Sequence, residues 1–249
     1  MAESEMVGSA GVWSMLPAGD SLMTALNVEL QPILSSLFGY HFLSLGCFSN
    51  CLDITASPVR HQVRLGLEQA AGVCADPGEL PILSDSIDVV LLAQLLDFHD
   101  NPHRILREAA RVLIPEGALV IAGFNPFSPW GLWRLAHRGD RRRGPRALTP
   151  GRVKDWLKLL DFELVEERRF FYRPPVESES AMQRLTWLES WGRRWAQSLG
   201  GMYVLVARKQ VSTLTPVRMP WKPKVIPIRP ALVEPGVRAS SSSKESCRP

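Results

Sequence analysis

Residues Cys74 to Phe124 read C-A-D-P-G-E-L-P-I-L-S-D-S-I-D-V-V-L-L-A-Q-L-L-D-F-H-D-N-P-H-R-I-L-R-E-A-A-R-V-L-I-P-E-G-A-L-V-I-A-G-F. Within this run, Ile87 to Leu92 is a nearly continuous apolar stretch with β-branched residues, as a strand buried on both faces requires. Asn101-Pro102 predicts a helix start, a cap candidate followed by a proline whose missing N–H is harmless at the first helical position. Apolar residues then recur at Ile105, Leu106, Ala109, Val112 and Leu113, one face of a helix, while Arg104, Arg107, Glu108 and Arg111 fall largely on the solvent side. Pro115-Glu116-Gly117 is turn chemistry, and Ala118 to Gly123 reads as a second buried strand. Two such strands joined by a crossover helix imply a parallel pair with a right-handed connection, and therefore an α/β sheet.

The flanking sequence extends this plan in both directions. Residues 1–18 read as a loose leader, and Ser21 to Phe38 carries apolar residues at 22, 26, 30, 33, 34 and 37 with helical spacing. Tyr40 to Gly46 reads as a first strand and Gln62 to Leu65 as a weak second one. Thr149-Pro150 opens a helix whose inner face is Val153, Trp156, Leu157 and Leu160. Phe162 to Tyr172 and Gly201 to Lys209 are two late strands. Between them Trp187, Trp191 and Trp195 stand four apart on a predicted helix, a stripe that suits core packing or a partner face better than a cofactor site.

Composition limits the function classes. The chain has 249 residues, ample for one α/β domain spanning 19–210, and no stretch approaches the roughly 20 apolar residues of a membrane span. The acidic start M-A-E-S-E-M lacks the features of a signal peptide, so a cytosolic protein is expected. Cys47 and Cys51 have no second pair to complete a four-ligand zinc site, and the five histidines show no metal spacing; reduced thiols and no metal are expected. The net charge of +4 resides in residues 211–249, a proline-rich, serine-ended tail with seven basic and two acidic residues. It reads as extended and disordered. Nucleic acid is a possible contact for this tail, but a solvated tail without a specific partner is the favoured reading, and Arg138 to Arg146 reads first as an exposed loop.

The motifs in the central run, taken together, resemble class I S-adenosylmethionine-dependent methyltransferases with a type 11 domain. They are the acid–x–x–x–Leu-Pro turn (Asp76, Leu80, Pro81), the Asp88-Val89-Val90 strand core, and Arg107-Glu108 with Arg111-Val112-Leu113-x-Pro115-x-Gly117. With G-Y-H-F-L-S-L-G, N-P-H-R and G-F-N-P-F-S, the chain is most similar to the uncharacterised bacterial YafS-like group. The resemblance implies a Rossmann-like sheet of seven mostly parallel strands flanked by helices, the last strand inserted antiparallel. It also implies S-adenosylmethionine as cofactor.

Ligands of such sheets bind beyond the carboxyl ends of the strands. The family's D/E-x-G-x-G-x-G loop after the first strand is rewritten here as Leu45-Gly46-Cys47-Phe48-Ser49, in which Gly46 alone survives. The resemblance assigns Gly46, Cys47, Phe48 and Ser49 to the methionine end of the cofactor, a site weakened by the bulk of Cys47 and Phe48. It assigns Asp76 and Pro77 to the adenine end, although Asp76-Pro77-Gly78 is also a good turn in its own right and Gly46 could simply end a strand. The ribose acid is missing, and Glu68 replaces it only by a shift of register. Ala93 and Gln94 would follow the fourth strand beside the cofactor. Asn125, Phe127 and Trp130 are candidates for the substrate rim, although Asn125-Pro126-Phe127 follows the fifth strand and not the fourth, where amino-group methyltransferases carry N-P-P-[FY]. Catalytic residues and methyl acceptor are left open. The competing reading is a non-catalytic scaffold that keeps the fold.

Overall fold

The computed structural model describes residues 11–14, 16, 18–66, 72–136, 148–173, 194, 197–210 and 236. Contacts divide the chain into two units, Met1–Ser212 and Thr213–Pro249. The expected basic tail, the arginine-rich loop 138–146, Glu68 and the tryptophans at 187, 191 and 195 lie outside the described residues.

Seven strands form one sheet: β1 (His41–Leu45), β2 (His61–Gly66), β3 (Val73–Cys74), β4 (Ile87–Ala93), β5 (Leu113–Phe124), β6 (Phe162–Phe170) and β7 (Met202–Lys209). Their order is β3-β2-β1-β4-β5-β7-β6. The first five are parallel, and β7 enters antiparallel between β5 and β6. This is the Rossmann-like sheet that the resemblance implied. From β1 the chain moves outward through β2 and β3, then returns to place β4 on the other flank of β1. The crevice at a topological switch point therefore opens between the ends of β1 and β4.

Alternation along the strands feeds two cores. Phe42, Val89, Leu91, Val120, Val204 and Val206 face one layer with Leu22, Leu26, Leu30, Ile33 and Leu34 of helix α2 (Gly19–Ser36). Leu43, Val90, Leu92, Leu119, Ile121 and Leu205 face the other, with Ile105, Leu106 and Ala109 of α5 (Pro102–Val112) and Val153 and Leu157 of α7 (Pro150–Leu159). Three short helices complete the described set: α3 (Cys47–Asn50), α4 (Leu95–Phe98) and α6 (Pro129–Ala136), preceded by α1 (Gly11–Ser14).

Local signals are realised with three departures. Thr149 caps α7 as expected, its Oγ1 accepting from Arg152 N–H at 3.3 Å ahead of Pro150. Asn101 does not cap α5 with its side chain; its backbone carbonyl accepts from the Arg104 and Ile105 N–H groups instead. β5 begins at Leu113, before the Pro115-Glu116-Gly117 turn, which survives as a bulge where pairing jumps from Ile87↔Leu113 to Val89↔Ala118. There a side chain at Gly117 would press on the Ile114 and Asp88 carbonyls, at 2.9 and 3.2 Å. The leader is also not wholly loose. Trp13 is fully buried, meets Phe48 edge-on with centroids 5.1 Å apart, and donates from Nε1 to the Phe48 carbonyl at 3.3 Å. Hydrophobic burial of one large indole is enough to dock a segment that carries no other periodic signal.

Candidate functional site

The candidate site is built where β1 and β4 end side by side. β1 closes with Gly46 at φ 87°, in the left-handed region that glycine tolerates and other residues rarely adopt. Its N–H donates to Leu65 O at 2.9 Å, tying the loop to the end of β2. α3 follows at once, and Ser49 Oγ accepts from the Ala93 N–H at 2.6 Å, which locks the loop after β1 to the end of β4. Gly46, Ser49 and Ala93 are thus brought together. The space a side chain at Gly46 would need is filled by Leu95 Cδ1, 2.9 Å from that position.

Cys47 and Phe48 turn inward. Phe48 is buried between Trp13 and Phe98, stacked on the Phe98 ring with centroids 4.8 Å apart. Its expected place against the cofactor is corrected accordingly: an aromatic ring in an otherwise apolar layer gains more from burial than from a polar cleft. Cys47 is likewise buried, and its carbonyl accepts from Cys51 Sγ at 3.1 Å.

Gln94 follows directly on β4 and precedes α4. It adopts φ 52°, ψ 0°, and its backbone N–H donates to Ala122 O at 2.8 Å. Its side chain is fully buried, yet neither Oε1 nor Nε2 has a hydrogen-bond partner among the described residues. A buried carboxamide with both ends unsatisfied costs about 1–3 kcal/mol per group, unless a ligand completes it. Gln94 also begins the tight turn into α4, in which Asp97 N–H donates to the Gln94 carbonyl at 3.1 Å.

Asp76 lies beyond β3. Its Oδ1 accepts from Gly78 N–H at 2.8 Å and its carbonyl from Glu79 N–H at 3.0 Å, so the residue does make the turn. The carboxylate remains half exposed, with His99 Nε2 3.9 Å from Oδ1. Pro77 is the second residue of that turn.

The three substrate candidates separate. Asn125 is buried and its carboxamide is engaged: Nδ2 donates to Ser198 O and Gly200 O at 2.8 and 2.9 Å, and Oδ1 accepts from Phe127 N–H at 3.2 Å. It ties the end of β5 to the approach to β7, which corrects its reading as a rim residue. Trp130 is fully buried and stacks on Phe124 with centroids 4.6 Å apart, so it too belongs to the core. Phe127 is exposed.

Two groups near the same edge escaped the sequence reading. Asp97, buried in α4, accepts through Oδ2 from Phe124 N–H at 3.0 Å and so joins the turn after β4 to the end of β5. Tyr203 on β7 packs its hydroxyl against Gly123; burial, and secondarily the Asp97 charge, hold its phenol well above the ordinary tyrosine value. The acid inside the apolar quartet Leu95–Phe98 was the visible signal for Asp97. For Tyr203 the partner strand had to be known first.

These elements fit the expected cofactor in part: a glycine backbone at the switch point, an unsatisfied carboxamide beside it and a half-exposed carboxylate beyond β3. The profile of the family described as "Methyltransferase domain" matches residues 37–121, which span β1 to β5. The uncharacterized protein YafS of Escherichia coli K12 is 34% identical over 242 residues, covering 95% of this chain and 92% of YafS. Among solved structures, a SAM-dependent methyltransferase from Archaeoglobus fulgidus superposes with a TM-score of 0.52 at 17% identity, covering 75% of this chain and 94% of its own. The [4+2]-cyclase SpnF superposes with a TM-score of 0.53 at 20% identity, covering 78% and 82%. At such identities these structures speak for the fold alone, and the second shows that the fold also serves a cyclase. The full-length likeness to YafS decides the family: the chain belongs to the YafS group and carries a methyltransferase domain.

Proposed function

We propose that the protein binds S-adenosylmethionine across the crevice between the ends of β1 and β4 and transfers its methyl group to an acceptor on the side of Phe127. The observation that carries this reading is Gln94, a fully buried carboxamide without a partner among the described residues, at the sheet's switch point. Gln94 would hold the cofactor with both ends of its carboxamide, Gly46 would offer its backbone, and Asp76 its half-exposed carboxylate. The bound cofactor supplies an activated methyl group, so the chain's own task is to position donor and acceptor and exclude water. The loop after β1 keeps Gly46 alone of the family's glycines and packs Leu95 against it, and micromolar affinity is expected.

The test is calorimetric titration of S-adenosylmethionine into the protein and into Gln94→Met. Methionine keeps the unbranched shape but removes both polar atoms. If Gln94 awaits a ligand, the variant is as stable as the parent or more so, while affinity falls by about 1–3 kcal/mol. Equal affinity in the variant, or no binding by the parent at millimolar ligand, defeats the proposal.

A further inference from the structure

His41 and His61 are twenty residues apart in sequence but adjacent in the sheet, paired in register at the first positions of β1 and β2. Neighbouring strands in register send their side chains to the same face, so the two imidazoles leave the sheet together. Their Nδ1 atoms are 3.0 Å apart, the rings are nearly perpendicular at 88°, and both side chains are exposed. The pair sits at the amino edge of the sheet, the opposite end from Gly46 and Gln94, and the proposed reaction has no use for it.

Two facing imidazole nitrogens at this separation have two uses. They can share one hydrogen bond, or they can turn both lone pairs on a single ion. The ring positions admit the second. A straight N–H···N bond of this length would place the centroids roughly 5.3 Å apart. Two imidazoles converging on an ion at ordinary metal–nitrogen distances would place them about 4.7 Å apart. The observed separation is 4.9 Å. With metal–nitrogen bonds of about 2.05 Å, the two nitrogens would subtend about 94° at the ion, close to the cis angle of tetragonal Cu2+ or Ni2+ and narrower than a tetrahedral Zn2+ site prefers.

The surroundings suit a cation. Asp88, opposite His41 on the other flank of β1, accepts through Oδ2 from the N–H groups of Tyr40 and His41 at 3.0 and 2.9 Å. Its carboxylate is thereby fixed beside the start of β1, where it places a negative charge near the pair and holds the backbone that carries His41. No group of three or more ligating side chains occurs among the described residues. An ion held there would have two protein ligands among the described residues and its remaining positions open to water.

We propose that His41 and His61 form a two-imidazole site for a borderline divalent transition ion, taken up in the order expected for nitrogen ligands, Cu2+ ahead of Ni2+ and Zn2+. The ion clips the first residues of β1 and β2 together through side chains, in addition to their backbone pairing.

The test uses the full chain with cysteines kept reduced, titrated separately with NiCl2 and ZnCl2, and with CuCl2 after the exposed thiols are alkylated. Each ion should raise the melting temperature in proportion to its occupancy, since bound ligand stabilises the folded state. The electron paramagnetic resonance spectrum of the Cu2+ form should show hyperfine coupling to two equivalent imidazole nitrogens. His41→Asn and His61→Asn should each leave one nitrogen and weaken binding by more than the roughly tenfold that loss of an outer partner brings. S-adenosylmethionine affinity in these variants should equal the parent's, which separates loss of the ion site from damage to the fold. Unchanged ion affinity in either variant, coupling to a single nitrogen in the parent, or no stabilisation at millimolar ion would overturn the proposal.

Discussion

Asp76 shows how one carboxylate can satisfy two readings at once. Its Oδ1 supports the turn through Gly78 N–H, while half of its side chain stays open beyond β3, where the family's adenine ring would lie. The two duties separate on substitution. Asp76→Asn retains a side-chain oxygen for the turn and should leave the melting temperature nearly unchanged, whereas Asp76→Ala should lose about 1 kcal/mol of stability. If the charge also receives the cofactor, both variants should bind S-adenosylmethionine about 5- to 100-fold more weakly. Parent-like affinity in the Asn variant would confine Asp76 to the turn. Phe48 makes the complementary point. Its size was legible as an obstacle to a cofactor loop, but its direction, inward onto Phe98 and Trp13, was not, because nothing local to Gly46–Ser49 says which layer an aromatic ring will join.

At the scale of elements, the Arg107-Glu108…Arg111 signature acquires a physical reason. α5 turns Glu108 and Arg111 toward the loop that precedes β4. Arg111 pairs with Glu108 at 2.8 Å and donates to Leu80 O, Ile82 O and Ser84 Oγ at 3.0, 2.9 and 3.1 Å, while Glu108 accepts from Leu80 N–H at 3.1 Å. One helix thus fixes residues 80–84 and, through them, the register in which β4 enters the sheet. The hydrogen bonds from Arg111 lower the Glu108 carboxyl below its ordinary value against an opposing effect of burial. A carboxyl that titrates lower in the folded than in the unfolded chain contributes stability that is complete above the ordinary glutamate range. That contribution is lost as pH falls through the range and below it. Glu108→Gln should therefore be less stable than the parent by about 1 kcal/mol near neutrality, with the gap closing as pH falls through the ordinary glutamate range and below it. Urea midpoints measured across that interval check it; a gap independent of pH would mean that the ionised carboxylate contributes nothing.

For the whole molecule, the two ends of the chain are expected to differ in their importance to folding. Trp13 is fully buried against α3, and its replacement by alanine should destabilise the protein by about 3 kcal/mol, as for other large core side chains. Residues 211–249 are proline-dense, basic and without apolar periodicity, and fall almost entirely in the second unit of the chain. Removing them should leave the melting temperature within a few degrees, because such a segment buries little apolar surface. Thermal melts of the two variants side by side check both statements; the reverse ranking would mean that Trp221, Ile226 and Ile228 complete the core.

The sequence by itself determined six of the seven strands, the crossover helix and the Thr149-Pro150 helix start, since each rests on periodicity or turn chemistry that acts over a few residues, and its motifs carried the resemblance to the family. It also put the candidate residues Gly46 and Gln94 just beyond β1 and β4, because the carboxyl ends of strands are recognisable once the strands are. Only tertiary structure decided what those residues do. Gln94 is an unsatisfied carboxamide among the described residues because of the layers that close over β4, and Asn125 is a brace because Ser198 and Gly200 arrive beside it from more than seventy residues away. His41 and His61 form a pair because parallel strands meet in register. Hydrogen bonds and burial of this kind depend on neighbours that are remote along the chain, and no local pattern encodes them.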